Sequence, residues 1–288
     1  MNMTNILFSV VIPTYHRNDL LARCLDCLAS NVQTLAAEQY EVIVTDDGFQ
    51  TTSKEMIKQD YPWVKWVAAQ RKGPAANRNN GAKYAQGEWL VFTDDDCLPD
   101  PQWLEAYRDA MDNDSLALEG SIHPCGDISL DVDLAECPVN TKGGCFWSAN
   151  IAIKRSLFES LGGFDPNHLI AAQEDQDLKI RVEALTNISF IPNAKVFHPI
   201  RIISLSKAIN RIPSQSKNWA YYANKNKKEL GYKNLYGIVV NGYFSQIRSL
   251  AMNLKMRKIQ SAFLAVVFIV FGMPIIVFTL IKQNLANN

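Results

Sequence analysis

Three consecutive carboxylates, Asp94-Asp95-Asp96, stand directly behind the apolar run 89–93. Like charges this close repel one another and resist burial, so a fold holds them at a strand end best when a cation neutralises them. Hard oxygen ligands select Mg²⁺ or Mn²⁺. In an extended chain alternate side chains share a direction, which assigns Asp94 and Asp96 to metal and nucleotide contacts while Asp95 points elsewhere. Asp46-Asp47-Gly48 repeats the arrangement behind another apolar run. A carboxylate there accepts the imide or amide hydrogens of a nucleotide base, and Gly48 lets the chain turn. Arg71, Lys72 and Arg78 lie on or beside Gly73-Pro74, a helix start whose free N–H groups and dipole favour phosphates. Glu174, Asp175 and Asp177 suit the first turn of a helix. A carboxylate fixed there can take the proton of an attacking hydroxyl, and Asp175 is our choice for that base. Of four histidines only His198, between Phe197 and Pro199, has a context suited to completing a metal's ligands. Taken singly, each of these motifs is also an ordinary solvated turn or helix start.

The elements that must position these residues are legible from periodicity. Apolar runs at 8–12, 40–45, 64–68 and 89–93 alternate with an amphipathic stretch at 19–30 and a helix opened by Pro74, the rhythm of a parallel sheet covered by helices. In such a sheet ligands bind outside the carboxyl ends of the strands, so Pro13-Thr14-Tyr15, Asp46-Asp47-Gly48 and Asp94-Asp95-Asp96 are expected to converge on one crevice. A helix is expected at 101–111, strands at 116–121 and 145–153, an acidic, substrate-specific loop around 127–136, a flexible turn at Gly162-Gly163-Phe164-Asp165, and a helix at 178–184 opened by residues 173–177. With no repeat or low-complexity linker, residues 1–205 are expected to form one continuous catalytic domain.

Charge and composition exclude other classes. The 29 basic and 29 acidic side chains cancel, so no basic field argues for nucleic acid, and 48% hydrophobic content excludes a disordered chain. Six scattered cysteines, with Cys24 and Cys27 the only close pair, read as reduced cytosolic thiols rather than a zinc or disulfide framework. Met1-Asn2-Met3-Thr4 lacks the basic region of a secretory signal. Residues 206–260 are basic and aromatic, which suits a membrane surface. Residues 262–281 carry no charge and are long enough for a single transmembrane helix. Lys255, Arg257 and Lys258 before that span, against Lys282 alone after it, place the catalytic part on the cytoplasmic side of an inner or plasma membrane.

The set Val11-Ile12-Pro13-Thr14-Tyr15, Thr45-Asp46-Asp47-Gly48, Ala76-Asn77-Arg78-Asn79, Phe92-Thr93-Asp94-Asp95-Asp96, Gly162-Gly163-Phe164-Asp165 and Glu174-Asp175-Gln176-Asp177 resembles family 2 glycosyltransferases, in order as well as in wording. The resemblance covers roughly residues 7–199. It implies an α/β fold, a Rossmann-like mixed sheet flanked by helices known as the A-type glycosyltransferase fold. It further implies nucleotide-sugar contacts at Pro13, Thr14, Asp47, Arg78, Asp94 and Asp95, metal coordination by Asp94, Asp96 and His198, and Asp175 as general base of an inverting transfer. Trp147, Asn150 and Glu174 are expected near the donor sugar or the acceptor. The implied partners are a nucleotide sugar, UDP-linked by preference, a glycan or glycolipid acceptor and the membrane, with Mn²⁺ or Mg²⁺ as cofactor. Asn218 stands where processive polysaccharide synthases of this family carry Arg in Gln-x-x-Arg-Trp, so transfer of one or a few sugars is expected. Two rivals stay open at this level. A sugar-phosphate nucleotidyltransferase would need a Gly-rich phosphate loop where this chain has Pro13-Thr14-Tyr15-His16-Arg17, and a non-catalytic membrane scaffold would retain the site without turnover.

Overall fold

The first apolar run becomes strand β1 (Phe8–Thr14), every residue of which is buried. That pattern marks a central strand covered on both faces. In the computed structural model, which describes residues 6–111 and 116–286, β1 pairs in parallel with β2 (Tyr40–Asp46) on one side. The start at Met1 to Thr4 lies outside the described residues. Between the two strands runs α1 (Asn18–Leu28), whose buried Leu21, Cys24, Leu25 and Leu28 recur at helical spacing. After β2 come α2 (Lys54–Asp60), β3 (Lys65–Ala68), α3 (Pro74–Ala82) with Pro at its first position, and β4 (Trp89–Thr93) on the other side of β1. Then follow β5 (Leu98–Pro99), α4 (Trp103–Asp109), β6 (Ala117–Cys125), β7 (Ala135–Glu136), β8 (Asn150–Lys154), α5 (Arg155–Ser160), α6 (Glu174–Glu183) and β9 (Ile188–Pro199). The sheet order is β3-β2-β1-β4-β8-β6-β9-β5, parallel from β3 to β4 and mixed beyond. Strand order therefore reverses beside β1, which sets a ligand crevice at the carboxyl ends of β1, β2 and β4.

Two local readings change. The expected strand at 145–153 shortens to β8, because Glu119 on β6 accepts the backbone N–H groups of Gly144, Cys145 and Phe146 and draws that segment off the ladder. Helix α2 has no counterpart among the expected elements: its seven residues bury only Ile57, too little to show a period. The turn at Gly162-Gly163 behaves as its composition requires. Gly163 has φ +72°, and a Cβ there would meet Asn79 Oδ1 at 2.5 Å. Gly163→Ala is therefore expected to lower stability by about 1–2 kcal/mol from the left-handed backbone alone, before the clash is counted. Urea denaturation checks it.

By their contacts the residues fall into two units. One unit holds the chain up to Cys125 together with Pro138–Pro199, and the other holds Gly126–Cys137 with Ile200–Asn288. In the second unit β10 (Arg201–Ile202) pairs with β7, and residues 206–260 resolve mainly into α7 (Leu205–Lys225) and α8 (Leu235–Lys255). The apolar run 262–281 lies within α9 (Ile259–Val267), a π turn at Phe268–Gly272 and α10 (Met273–Ala286). Pro274 has no N–H for the carbonyl four residues earlier, and the helix widens just ahead of it. Asp133 starts this helix by accepting the N–H groups of Gln260 and Ser261. Its continuous stretch Ile259–Leu285, which contains an 18-residue window of mean hydropathy 2.9, is long and apolar enough to cross a membrane.

Candidate active site

The turns behind β1, β2 and β4 are bonded to one another. Thr14 accepts the Asp47 N–H through its carbonyl at 3.0 Å and donates its hydroxyl to Asp95 Oδ2 at 2.8 Å. Pro13, paired with Thr45 in the register of β1 and β2, ends the apolar part of its strand. Asp46 turns away from the crevice and accepts the Gly48 and Ser53 N–H groups and the Ser53 hydroxyl, which shapes the loop after β2. Asp47 is buried and accepts the Arg71 N–H at 2.8 Å. Burial pushes its carboxyl above the ordinary value, against the lowering pull of the Arg71 and Gly73 amides.

The acidic triplet divides by direction, with Asp95 turned inward. It is wholly buried, held by the Thr14 hydroxyl and by Arg17 Nη2 at 2.8 Å. Asp94 Oδ1 accepts from Arg78 Nη2 at 2.6 Å. Burial works to raise this carboxyl, but the Arg78 guanidinium overrides it and holds Asp94 below the ordinary value. Asp96 Oδ2 accepts from Arg17 Nη1 at 3.2 Å, and its Oδ1 lies 3.5 Å from His198 Nε2. His198 engages the Pro199 carbonyl through Nδ1 at 2.9 Å. Burial lowers its pKa, so the ring is neutral with the hydrogen on Nδ1. Its Nε2 lone pair then faces a carboxylate, an arrangement that is repulsive until a cation sits between them. The Asp96 and His198 donors therefore fit a divalent metal. Cys97 stands in the same cluster, but burial raises its thiol far above the ordinary value and keeps it protonated.

Helix α6 carries the expected base. Gln173, left-handed at φ 63°, turns the chain so that Glu174 and Asp175 open the helix. Glu174 Oε1 accepts from Arg78 Nη1 at 3.0 Å, so one buried guanidinium, stacked over the Phe164 ring at 5.7 Å, joins the turn behind β4 to the start of α6. The sequence-level role of Arg78, contact with phosphate or base, thus falls on a side chain already shared by two carboxylates. Burial pushes Glu174 up to about 7, Arg78 opposing and Asp175 adding to the rise. Half-buried Asp175 is also raised, chiefly by burial, with Arg78 opposing. Because Glu174 holds its proton in the folded state where the unfolded chain has released it, stability falls as pH rises from the ordinary 4.5 towards about 7. Glu174→Gln is expected to remove part of that slope, read by urea denaturation across this window.

Trp147 is half-buried against the sheet core. Asn150 lies inside the core rather than on a crevice wall: its oxygen accepts from Trp103 Nε1 and the Tyr107 hydroxyl, and its amide donates to the Ser121 and Ala194 carbonyls. Two residues escape a reading of the sequence alone. Arg17, the clamp on Asp95 and Asp96, has partners about eighty positions away. Glu119 organises the loop before β8 from within an apolar strand, and a lone carboxylate in such a run was the available signal. His16, which has no distinguishing context in the sequence, bonds Thr51 and packs between exposed Tyr15 and Phe49, with ring centroids at 4.3 and 4.9 Å.

A mixed sheet of this order, with an acidic turn at the reversal and a carboxylate-headed helix joined to it, has the A-type glycosyltransferase fold. Residues 9–133 match the model of glycosyl transferase family 2, and with the curated glycosyltransferase relatives this match supports a family 2 glycosyltransferase. It is 28% identical over 214 residues to glycosyltransferase AglE of Haloferax volcanii, covering 70% of this chain and 69% of that one. It spans about half the length of two further curated relatives, 48% and 51%. Among solved structures, the mannosyltransferase PcManGT from Pyrobaculum calidifontis, in complex with GDP-Man and Mn²⁺, is similar in fold, with TM-score 0.56, 16% identity and 92% and 87% of the two chains covered. So is S. aureus TarS 1-349 in complex with UDP-GlcNAc, with TM-score 0.55, 16% identity and 97% and 92% covered.

Proposed function

We propose that the chain transfers a sugar from a nucleoside-diphosphate sugar, UDP-linked, to a hydroxyl of a glycan or glycolipid, inverting the anomeric carbon. The observation that carries this reading is the Arg78 bridge, which joins Asp94 and the start of the Asp175 helix. Asp96, His198 and Asp94 hold Mn²⁺ or Mg²⁺, which when bound supplies the charge that stabilises the departing diphosphate. Asp47 receives the hydrogens of the base, beside an aromatic wall of Tyr15, His16 and Phe49. Asp175 takes the proton of the acceptor hydroxyl as it attacks. Residues 1–205 make up the catalytic part in this reading, and Trp147 and Glu174 line the sugar's surroundings. The fold relatives support a metal and a nucleotide sugar, since one is described with GDP-Man and Mn²⁺ and another with UDP-GlcNAc. The C-terminal unit attaches the enzyme to the cytoplasmic face of the inner or plasma membrane, with the cations Lys255, Arg257 and Lys258 beside the apolar helix.

A screen of nucleotide sugars by thermal denaturation tests this. A donor at a hundredfold excess over its Kd adds about 2.7 kcal/mol, a rise of about 5 °C or more. We expect that rise with Mn²⁺ and its loss on chelation. An equal rise in chelator contradicts the metal's role.

A further inference from the structure

An apolar helix that crosses a bilayer carries its neighbours with it, and the neighbours of Ile259–Leu285 are not those of a membrane span. Helix α7 runs beside it in the same direction. Ser216 touches Gly272, where a Cβ would come within 2.9 Å of the Ser216 hydroxyl; Ala220 and Ala223 pack with Ile276 and Leu280; and Asn224 donates to Gln283 at 3.2 Å. Gly272 is the midpoint of Ile259–Leu285. The Lys217 side chain, exposed and next to Ser216, would therefore ride near the bilayer midplane in a crossing helix, with exposed Ser214 and Gln215 just beside it. A charged, outward-facing side chain at that depth is strongly disfavoured.

The exposed apolar residues are arranged in stripes instead. Along Ile259–Leu285 they are Ile259, Phe263, Val266, Val270, Phe271, Phe278, Ile281 and Leu285, apart from the buried Ala262, Ala265, Met273, Ile276 and Leu280. On α8, which packs against the same helix through Gly242 and Met273, Tyr236, Phe244, Ile247 and Leu254 follow helical spacing, while exposed Asn241, Ser245 and Arg248, ending at Met252, line another face. Lys255, Arg257 and Lys258 mark one end of the apolar helix and Lys282 the other. Apolar stripes bordered by cations fit a helix lying in the interface of an anionic leaflet.

We propose that the C-terminal unit is monotopic: α8 and the helix Ile259–Leu285 lie along one leaflet of an anionic bilayer, stripes inward, with α7 turned to water. This concerns the mode of attachment and does not depend on the transfer chemistry.

Full-length single variants Gln260→Cys, Lys217→Cys and Asn284→Cys, all at exposed positions, test it in inside-out membrane vesicles treated with an impermeant thiol reagent. Peptide mass spectrometry separates these sites from the native cysteines, all of which precede residue 146. The expected result is labelling of all three at rates within about twofold, unchanged by detergent. Protection of Lys217→Cys and Asn284→Cys until detergent is added overturns the proposal in favour of a crossing helix. In flotation, the purified chain should bind phosphatidylglycerol vesicles at least tenfold more tightly than phosphatidylcholine vesicles. A chain that floats with neither, its stripes covered by a second copy, also overturns it.

Discussion

Asp175→Asn is expected to reduce sugar transfer by about a thousandfold while leaving donor binding and melting temperature close to those of the wild type, the loss typical of an absent general base. The substitution keeps the shape and the acceptor oxygen that receives the Gln176 N–H at 2.8 Å, so α6 should start as before. What disappears is the ability to hold a proton taken from the acceptor. The environment suits that role, because burial raises the Asp175 carboxyl, with Arg78 opposing, towards the range in which a base works at neutral pH. The wild-type rate should accordingly climb with pH on a limb above the ordinary carboxylate value of 3.8, and the variant's residual rate should lack that limb. Steady-state transfer across pH separates the outcomes, and an undiminished variant removes Asp175 from the base role.

Asp96→Asn should cost about a hundredfold or more in transfer, the several kcal/mol that a Lewis acid supplies at a leaving diphosphate. The variant should also lose Mn²⁺-dependent thermal stabilisation by the donor. An amide keeps the volume of the carboxylate between Arg17 and His198 but removes the charge that both face. The fold should survive, because Asp95, not Asp96, is the member of the triplet bonded to Thr14. A steady-state comparison with His198→Ala sharpens the result. Both variants should need higher Mn²⁺ for half-maximal rate, whereas a merely structural Asp96 would lower stability without moving that concentration.

Much of the crevice was legible because local signals and tertiary need agree in the first half of the chain. Strands β1, β2 and β4 are continuous apolar runs closed by polar turns, and a buried parallel strand can have few other appearances. Alternation along the chain set Asp95 apart from its neighbours; in the structure Asp95 is bonded to Thr14 and shares Arg17 with Asp96, a relation the alternation could not show. Relations across long separations were not legible. Arg78 meets Glu174 ninety-six positions away, so a guanidinium that looked free for phosphate proves to be shared by carboxylates. Asn150 seemed a polar residue near a sugar, yet its four hydrogen bonds end in the core, two on carbonyls of the sheet and two on the α4 side chains Trp103 and Tyr107. The apolar run 262–281 announced a membrane by composition alone. Only the packing of α7 along it, through Ser216 and Asn224, bears on how it meets one.

The most direct test of the central claim is the configuration of the product. The full chain should be given Mn²⁺, a nucleotide sugar found by thermal stabilisation and a glycan or glycolipid acceptor, and the new linkage read by the NMR coupling of its anomeric proton. An α-linked donor should yield a β-linked product, with no product in chelator. A product that keeps the donor's configuration, or one formed equally well without metal, contradicts the account.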